Sequence, residues 1–274
     1  MSDKINTTQE NSPVSLSVYA VTHVGMVRTM NEDRFLVDSY SSEKADSLSD
    51  IIDLPLNNKG IVLMVSDGMG GAAAGEIASL LAIDAVKKEM VFHNPPSVLQ
   101  FKEQLKSSLL IANHLIAQEA EKNPALKGMG ATATLAGILN HGVYIAQVGD
   151  SRAYLIRDNE IQLLTNDQSY VYQLWKSGAI TEEEARVHPQ RNIILQALGV
   201  QKDLEVELTQ FKAQVRDRLL LCSDGLSGLL TNEEILEVVK KHPSLKDCCH
   251  NLVELANQKG GYDNITVVLG EFKQ

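Results

Sequence analysis

Short apolar runs separated by polar turns recur along the chain, and this pattern predicts many β-strands. The predicted strands span residues 15–23, 34–38, 61–66, 131–139, 143–148, 152–156, 161–164, 204–211, 218–223 and 265–272. Apolar residues at helical spacing predict helices over residues 76–90, 97–121, 168–178, 233–241 and 244–258. Capping boxes at Thr181 and Thr231 mark the start of two helices, of which the one after Thr181 is short. The chain is therefore expected to combine sheets with helices.

The connections between several predicted strands are short. Asn140-His141-Gly142 and Asp158-Asn159 are typical of hairpin turns, which join antiparallel strands. The element order also lacks the regular strand–helix alternation of a doubly wound parallel sheet. We therefore expect an α+β fold with helices packed outside antiparallel sheets, in a single domain over residues 14–274. Residues 1–13 are expected to form a flexible tail and residues 40–58 a surface insertion, because both segments are mostly polar.

Composition narrows the choice of partners. The chain has 274 residues and a formal net charge of −10, which disfavours nucleic acid and anionic membranes as partners. No stretch is apolar enough for a membrane helix, and the polar N-terminal segment lacks the apolar core of a signal peptide. Three cysteines, two of them adjacent, make a disulfide framework unexpected. A cytoplasmic location is the expectation that fits these features.

Four aspartates lie at the ends of apolar strands. Asp67, Asp150 and Asp224 each follow a predicted strand, and Asp263 precedes the last one. A carboxylate at the end of a buried strand is costly unless its charge is compensated, and several such carboxylates would repel one another. Hard divalent cations such as Mg²⁺ and Mn²⁺ prefer oxygen ligands of this kind. The pattern therefore indicates a metal-dependent hydrolase.

Each acid has a simpler explanation when it is considered alone. An Asp before Gly commonly occupies a turn or caps a helix. Gly68-x-Gly70-x-x-Ala73 after a strand also matches a dinucleotide-binding fingerprint, but the charge of Asp67 would oppose a pyrophosphate there. The joint occurrence of several such acids favours the metal site.

Two other hydrolase classes lack their motifs. No arginine stands six positions after Cys222, Cys248 or Cys249, as the loop of a cysteine phosphatase requires. Ser151 is followed by Ala153 where a serine-hydrolase elbow needs glycine. Neither class therefore explains the chain.

Six short motifs occur in order, and their presence carries a clear resemblance. They are Arg-x-x-Asn-Glu-Asp from Arg28, Asp-Gly-Met-Gly-Gly from Asp67, Gly-x-Gly-Ala-Thr-x-Thr from Gly128, Gly-Asp-Ser-Arg from Gly149, Ser-Asp-Gly-Leu from Ser223 and Asp-Asn-Ile-Thr from Asp263. Between about residues 18 and 272 the chain resembles the bacterial form of the metal-dependent protein phosphatases of type 2C. The resemblance implies a four-layer αββα sandwich, with two antiparallel sheets flanked by helices. It also implies hydrolysis of phosphoserine and phosphothreonine esters in proteins.

The resemblance assigns ligands to two core ions, either Mn²⁺ or Mg²⁺. Asp67 would bridge both ions. The Gly68 carbonyl would bind one of them, with Glu32 acting through water. Asp224 and Asp263 would complete the shell of the other ion. A hydroxide shared by the two ions would then attack phosphorus directly, without a covalent enzyme intermediate.

Further roles follow from the same motifs. Asp150 would hold a third, weaker ion, and Arg28 would clamp the substrate phosphate. Asp33 and Asn264 would support the ligands without touching the ions. Met69 stands where animal members have a histidine that can protonate the leaving group, and a methionine cannot donate that proton. The general acid is therefore left unassigned.

The resemblance also implies partners and a mobile element beside the site. Residues 170–198 resemble the bacterial flap, although Asp167-Gln168-Ser169 and Leu195-Gln196 depart from the usual pattern. Expected partners are phosphoprotein substrates, among them a Ser/Thr protein kinase and its targets, for a monomeric enzyme that binds neither nucleic acid nor membrane. The alternative is a catalytically inactive phosphatase fold that serves as a binding or regulatory module. The complete set of acids favours the enzyme.

Overall fold

A computed structural model of the chain describes residues 12–39, 49–70, 74–92, 94 and 96–274. The strands are β1 Ser15–His23, β2 Arg34–Ser39, β3 Ile52–Pro55, β4 Ile61–Ser66, β5 Gly68–Met69, β6 Gly130–Ala131, β7 Ala133–Leu139, β8 Gly142–Val148, β9 Arg152–Arg157, β10 Glu160–Leu163, β11 Glu207–Lys212, β12 Arg218–Cys222 and β13 Ile265–Lys273. The helices are α1 Ala74–Glu89, α2 Val98–Lys122, α3 Tyr170–Lys176, α4 Glu182–Val187, α5 Asp224–Ser227, α6 Asn232–Lys241 and α7 Leu245–Gln258. A single 3₁₀ turn, Pro124–Leu126, follows α2.

Two large antiparallel sheets form the centre of the molecule. One has six strands in the order β10-β9-β12-β13-β1-β3, and the other has five in the order β11-β8-β7-β4-β2. Every residue of β4 and β7 is buried, which explains why these strands are continuously apolar instead of alternating. The short β5 and β6 pair with each other, and Ala131 of β6 also forms an antiparallel bridge with Leu198.

Three apolar clusters separate four layers. One cluster lies between the sheets and joins residues such as Leu16, Val65 and Val268. A second joins the outer face of the five-stranded sheet to α1 and α2, and a third joins the six-stranded sheet to α6 and α7. Burial of these faces is the main driving force for the arrangement. The predicted αββα sandwich is therefore confirmed.

Local sequence signals explain most of the element boundaries. Asn140, Asp158 and Asn159 adopt positive φ angles of 55°, 50° and 66°, as the predicted hairpin turns require. The capping boxes of Thr181 and Thr231 both form, so that each side-chain oxygen accepts a hydrogen bond from a backbone N–H of the first turn. Ser97 caps α2 in the same way.

The segment expected to be a surface insertion differs from the prediction. Residues 40–48, like residues 1–11 of the expected tail, lie outside the described part of the chain. Ile52–Pro55 is not an insertion loop, because it forms β3 and pairs with the first residues of β1. The strand was missed because it is short and ends in proline, which suits an edge strand but not a central one.

Among the described residues, no helix combines the length and the apolar character that crossing a membrane requires.

Candidate metal centre

The four aspartates meet at one end of the sandwich, although they come from both sheets. Asp67 follows β4 and Asp150 follows β8, in the five-stranded sheet. Asp224 opens α5 directly after β12, and Asp263 lies just before β13, in the six-stranded sheet. Burial raises the pKa of Asp67 well above its usual value, and the charges of the other three aspartates raise it further. The structure thus brings together acids that are far apart in the sequence.

The pKa values of Asp224 and Asp150 are also raised, in part by the charges of neighbouring carboxylates. Burial raises the pKa of Asp224 to about 6, with the charge of Asp263 as the next cause. Burial also raises the pKa of Asp150 well above its usual value, and Asp224 is the strongest charged contributor. A group of buried carboxylates that destabilise one another needs positive charge nearby.

Two carboxylate oxygens of this cluster are available to an ion. Oδ1 of Asp150 and Oδ1 of Asp224 are buried and accept no hydrogen bond within the part of the chain that the structure describes. Among the described residues, no group of three or more His, Cys, Asp and Glu side chains is arranged to hold a metal ion by itself. Mg²⁺ is commonly held by few carboxylates and keeps several waters, so an all-protein cage is not required. The donor set therefore fits hard divalent ions whose shells carbonyl groups and water complete.

The Gly68 carbonyl and the Glu32 carboxylate both lie next to Gly75, where any other residue would place its Cβ atom. A Cβ atom built on Gly75 would lie 2.7 Å from Gly68 O and 2.7 Å from Glu32 Oε1. A Cβ built on Gly68 would in turn lie 2.0 Å from Gly75 O. Only glycine permits this close approach of two backbone segments and a carboxylate. Gly75 was not identified from the sequence, because it stands among small residues at the start of α1.

Asn264 joins the start of β13 to the loop that carries Arg28 and Glu32. Its Oδ1 accepts a hydrogen bond from the Glu32 N–H at 2.8 Å. Its Nδ2 donates to the carbonyls of Val24 and Met30, at 2.9 Å each. The side chain is buried, so these bonds are shielded from water. The predicted supporting position of Asn264 agrees with this geometry.

Asp33 is fully buried behind the cluster. Its Oδ2 accepts a hydrogen bond from Ser223 Oγ at 2.7 Å, and Ser223 directly precedes Asp224. Burial raises the pKa of Asp33 to about 7, and the charges of Asp224 and Asp263 add to the shift. Asp33 therefore holds the segment that leads into Asp224.

Arg28 lies on the solvent side of the cluster. Its Nη2 donates to Oδ2 of Asp263 at 2.7 Å. This hydrogen bond is the main cause of a raised pKa at Arg28, and the charges of Glu32 and Asp67 contribute to it. The guanidinium is about half exposed and can therefore reach a phosphate group outside the acids.

Two positions beside the acids have roles that the sequence did not reveal. Thr132 exchanges two hydrogen bonds with Asp67: its N–H donates to Asp67 O at 2.8 Å, and its Oγ1 accepts from the Asp67 N–H at 2.9 Å. Gln168 also exchanges two hydrogen bonds with Gly149. The Gln168 N–H donates to Gly149 O at 2.9 Å, and Gln168 Oε1 accepts from the Gly149 N–H at 2.8 Å. Thr132 belongs to a motif noted in the sequence, but its contact depends on the packing of β4 beside β7.

A cleft of ≈ 350 Å³ lies next to the cluster of acids. Asp150, Asp224 and Asp263 line one part of it together with Arg28. Residues of α3, α4 and the following loop line the opposite part, including Trp175. The segment expected to be a flap therefore lies beside the site.

Met69 and His188, a histidine in the segment expected to be a flap, both make local contacts in this structure. Met69 Cε lies 2.9 Å from a Cβ built on Gly130, so its side chain packs over the β5–β6 pair. His188 Nδ1 accepts a hydrogen bond from the Gln190 N–H at 3.1 Å, which closes a local turn. His188 is not among the residues that line the cleft.

Comparison with known proteins identifies relatives over most of the chain. The family described as Protein phosphatase 2C matches residues 45–269. The chain is 41% identical over 210 residues to the serine/threonine protein phosphatase PstP of Mycobacterium tuberculosis, a match that covers 77% of the chain but only 40% of that relative. It therefore spans less than two thirds of that protein. It is 38% identical over 214 residues to the serine/threonine phosphatase Stp of Listeria welshimeri, covering 77% of the chain and 84% of the relative.

Solved structures share the fold closely. One is the catalytic domain of PstP in complex with two manganese ions, with a TM-score of 0.79 and 35% identity, covering 95% of the chain and 100% of that structure. Another is the serine/threonine phosphatase Stp1 of Staphylococcus aureus, with a TM-score of 0.82 and 32% identity, covering 94% of the chain and 95% of that structure.

Proposed function

The chain belongs to the protein phosphatase 2C family, and we propose that it hydrolyses phosphoserine and phosphothreonine esters of proteins with Mn²⁺ or Mg²⁺ as its cofactor. The observation that carries this proposal is the meeting of four carboxylates from two sheets beside Arg28, with unpartnered buried oxygens on Asp150 and Asp224. The manganese-bound relative supports the choice of ion.

The ligands follow from this geometry and from the motifs. Asp67 would bind both core ions; it follows the fully buried strand β4, and the charges of Asp33, Asp150, Asp224 and Asp263 all act on it. The Gly68 carbonyl would serve one ion, with Glu32 acting through water, and their position next to Gly75 supports this. Asp224 and Asp263 would serve the other ion.

Asp150 completes the set of acids. It would hold a third, weaker ion together with Asp224, whose charge acts on it most strongly. Its unpartnered Oδ1 supports this role.

When bound, the ions activate a water molecule and neutralise charge on the phosphate. The chain's own residues do the rest. Arg28 binds phosphate oxygens through its planar guanidinium and holds phosphorus in position. Asn264 and Asp33 fix the segments that carry Glu32 and Asp224. Met69 donates no proton, so another group protonates the leaving alkoxide.

The proposal extends to the organisation of the chain and to its partners. The catalytic domain spans residues 14–274, with a flap at about residues 170–198. Phosphoproteins are the substrates, with a Ser/Thr protein kinase and its targets among them. The enzyme acts as a monomer in the cytoplasm. The alternative of an inactive binding module has no support, because every proposed ligand is present.

Hydrolysis assays test this function directly. Hydrolysis of p-nitrophenyl phosphate and of a phosphothreonine peptide is measured with Mn²⁺ and with EDTA. Asp224→Ala is expected to remove most of the turnover. Asp84→Ala, at an exposed position on α1, is expected to leave turnover unchanged. Activity that persists undiminished in EDTA would rule out the proposal.

A further inference from the structure

Exposed apolar side chains surround the proposed phosphate ligand. Met26, Val27 and Met30 lie in the loop that carries Arg28, and they are 67%, 62% and 43% exposed. Tyr262, next to Asp263, is 61% exposed. We call these four residues the apolar rim. Single exposed apolar residues are ordinary on protein surfaces, but this group lies on two neighbouring loops at the functional site.

The two loops of the apolar rim are tied together and form one platform. The Met26 N–H donates to Gly261 O at 2.8 Å. A Cβ on Gly25 would lie 2.2 Å from Asp263 O, so the loop backbones are in close contact. The Arg28–Asp263 ion pair adds a further link. The apolar side chains are therefore presented by a backbone that is held in place.

The charge around the apolar rim disfavours an acidic partner. Arg28 is the only charged residue between positions 24 and 30, and Asp263 already accepts a hydrogen bond from it. The four side chains of the apolar rim carry no charge, and Arg28 is engaged by Asp263 or by the substrate phosphate. An acidic residue beside the phosphate therefore finds no free cation at the rim, whereas an apolar residue gains from burial there.

The apolar rim borders the cleft. Tyr262 and Arg28 line the cleft, Met26, Val27 and Met30 lie on the loop beside it, and Val171 and Trp175 offer apolar surface farther along it. A polypeptide whose phosphate reaches Arg28 can therefore place its neighbouring residues against Tyr262 and the adjoining loop.

We propose that the apolar rim docks the substrate polypeptide through apolar side chains that flank the phosphorylated residue. The preferred substrate class is then a phosphothreonine or phosphoserine segment with apolar neighbours, not one with acidic neighbours. This inference rests on the proposed phosphatase activity and deepens it, because it assigns a selection of sequence context to residues outside the metal centre.

Three phosphothreonine peptides that differ only in the two flanking residues test the inference. The flanks are Leu, Ser or Glu, and kcat/KM is measured with Mn²⁺ for each peptide. The wild-type enzyme is expected to favour the Leu peptide over the Ser peptide by about tenfold, since partial burial of two leucines is worth roughly one factor of ten. The Glu peptide is expected to be the poorest substrate.

The double variant Met26→Ser, Val27→Ser is expected to reduce the Leu-over-Ser preference to about twofold or less. Its kcat/KM for p-nitrophenyl phosphate, which has no flanking residues, should stay within about twofold of wild type. The matched control is Leu99→Ser on α2, which removes a leucine that is 66% exposed and lies outside the cleft. This control is expected to keep the full preference.

Several outcomes would overturn the inference. Hydrolysis of p-nitrophenyl phosphate without any Leu-over-Ser preference would reject the apolar rim as a docking surface and leave the phosphatase activity intact. A preference that survives in the double variant would reject it as well. A wild-type dimer in sedimentation velocity that the double variant abolishes would assign the surface to a second copy of the chain. The absence of Mn²⁺-dependent hydrolysis of every substrate would reject the proposed function itself, and the inference with it.

Discussion

Arg28 Nη2 donates a hydrogen bond to Asp263 Oδ2 at 2.7 Å, so the proposed phosphate ligand is paired directly with a proposed metal ligand. A cation bound at Asp263 would draw negative charge away from this carboxylate, so its hold on Arg28 is expected to weaken and the guanidinium to become more available to phosphate oxygens. Metal binding and substrate binding would then be linked through one side chain.

Arg28→Lys tests the role of Arg28 as the phosphate ligand. Lysine keeps the charge but loses the planar pair of donors, so KM for a phosphothreonine peptide is expected to rise by about tenfold or more. The Mn²⁺ concentration that gives half-maximal activity should change by less than about threefold, because the carboxylates remain. Steady-state kinetics with varied peptide and varied Mn²⁺ measure both quantities. An unchanged KM would show that Arg28 does not bind the phosphate.

The protonation of Asp33 predicts how stability depends on pH in EDTA. Its pKa is about 7 in the folded chain against an ordinary value of 3.8. The folded state then binds a proton more tightly than the unfolded state, so lowering the pH stabilises the fold. The gain is absent well above pH 7 and grows as the pH falls through about 7 toward 3.8.

Asp33→Asn isolates this contribution. In EDTA at pH 8 the variant is expected to melt at a higher temperature than wild type, because a buried charge is removed. The difference should shrink at pH 5.5, where wild-type Asp33 is protonated. Thermal unfolding followed by circular dichroism at the two pH values gives the comparison. A difference that is the same at both pH values would contradict the raised pKa.

Asn264→Ala is expected to destabilise the protein by about 2–4 kcal/mol, because it leaves a buried N–H and two carbonyls without their partner. Asn251→Ala is the control, since it removes one exposed hydrogen bond to Asp247 O and should cost about 0.5 kcal/mol or less. Urea unfolding measures both variants. Equal effects would show that the bonds of Asn264 are of no special importance.

Gln168→Ala removes the side-chain acceptor of the Gly149 N–H. We expect a loss of about 1 kcal/mol in stability together with a weaker response to Mn²⁺, because Gly149 directly precedes Asp150. Gln118→Ala, at an exposed position on α2 beside His114, serves as the control and should change neither quantity. If both variants respond alike to Mn²⁺, Gln168 has no positioning role.

Much of the fold could be predicted because its signals are local. The hairpins at Asn140 and Asp158 depend on residues that tolerate positive φ, and the helix starts at Thr181 and Thr231 depend on capping side chains a few positions apart. The edge strand Ile52–Pro55 was missed, because it is short and ends in proline, while its pairing with β1 and the burial of Leu54 depend on residues distant in sequence.

By itself, the sequence determined which residue types stand at the ends of the strands: four acids, an arginine and several glycines, in an order that matches a known family. Only the tertiary structure decided that both sheets end at the same place, that Gly75 admits Glu32 beside Gly68, and that Arg28 pairs with Asp263. Local patterns depend on backbone dihedral angles and on hydrophobic periodicity, which a short window of residues contains. Contacts between distant segments depend on how buried faces pack against one another, and a short stretch of sequence does not contain that information.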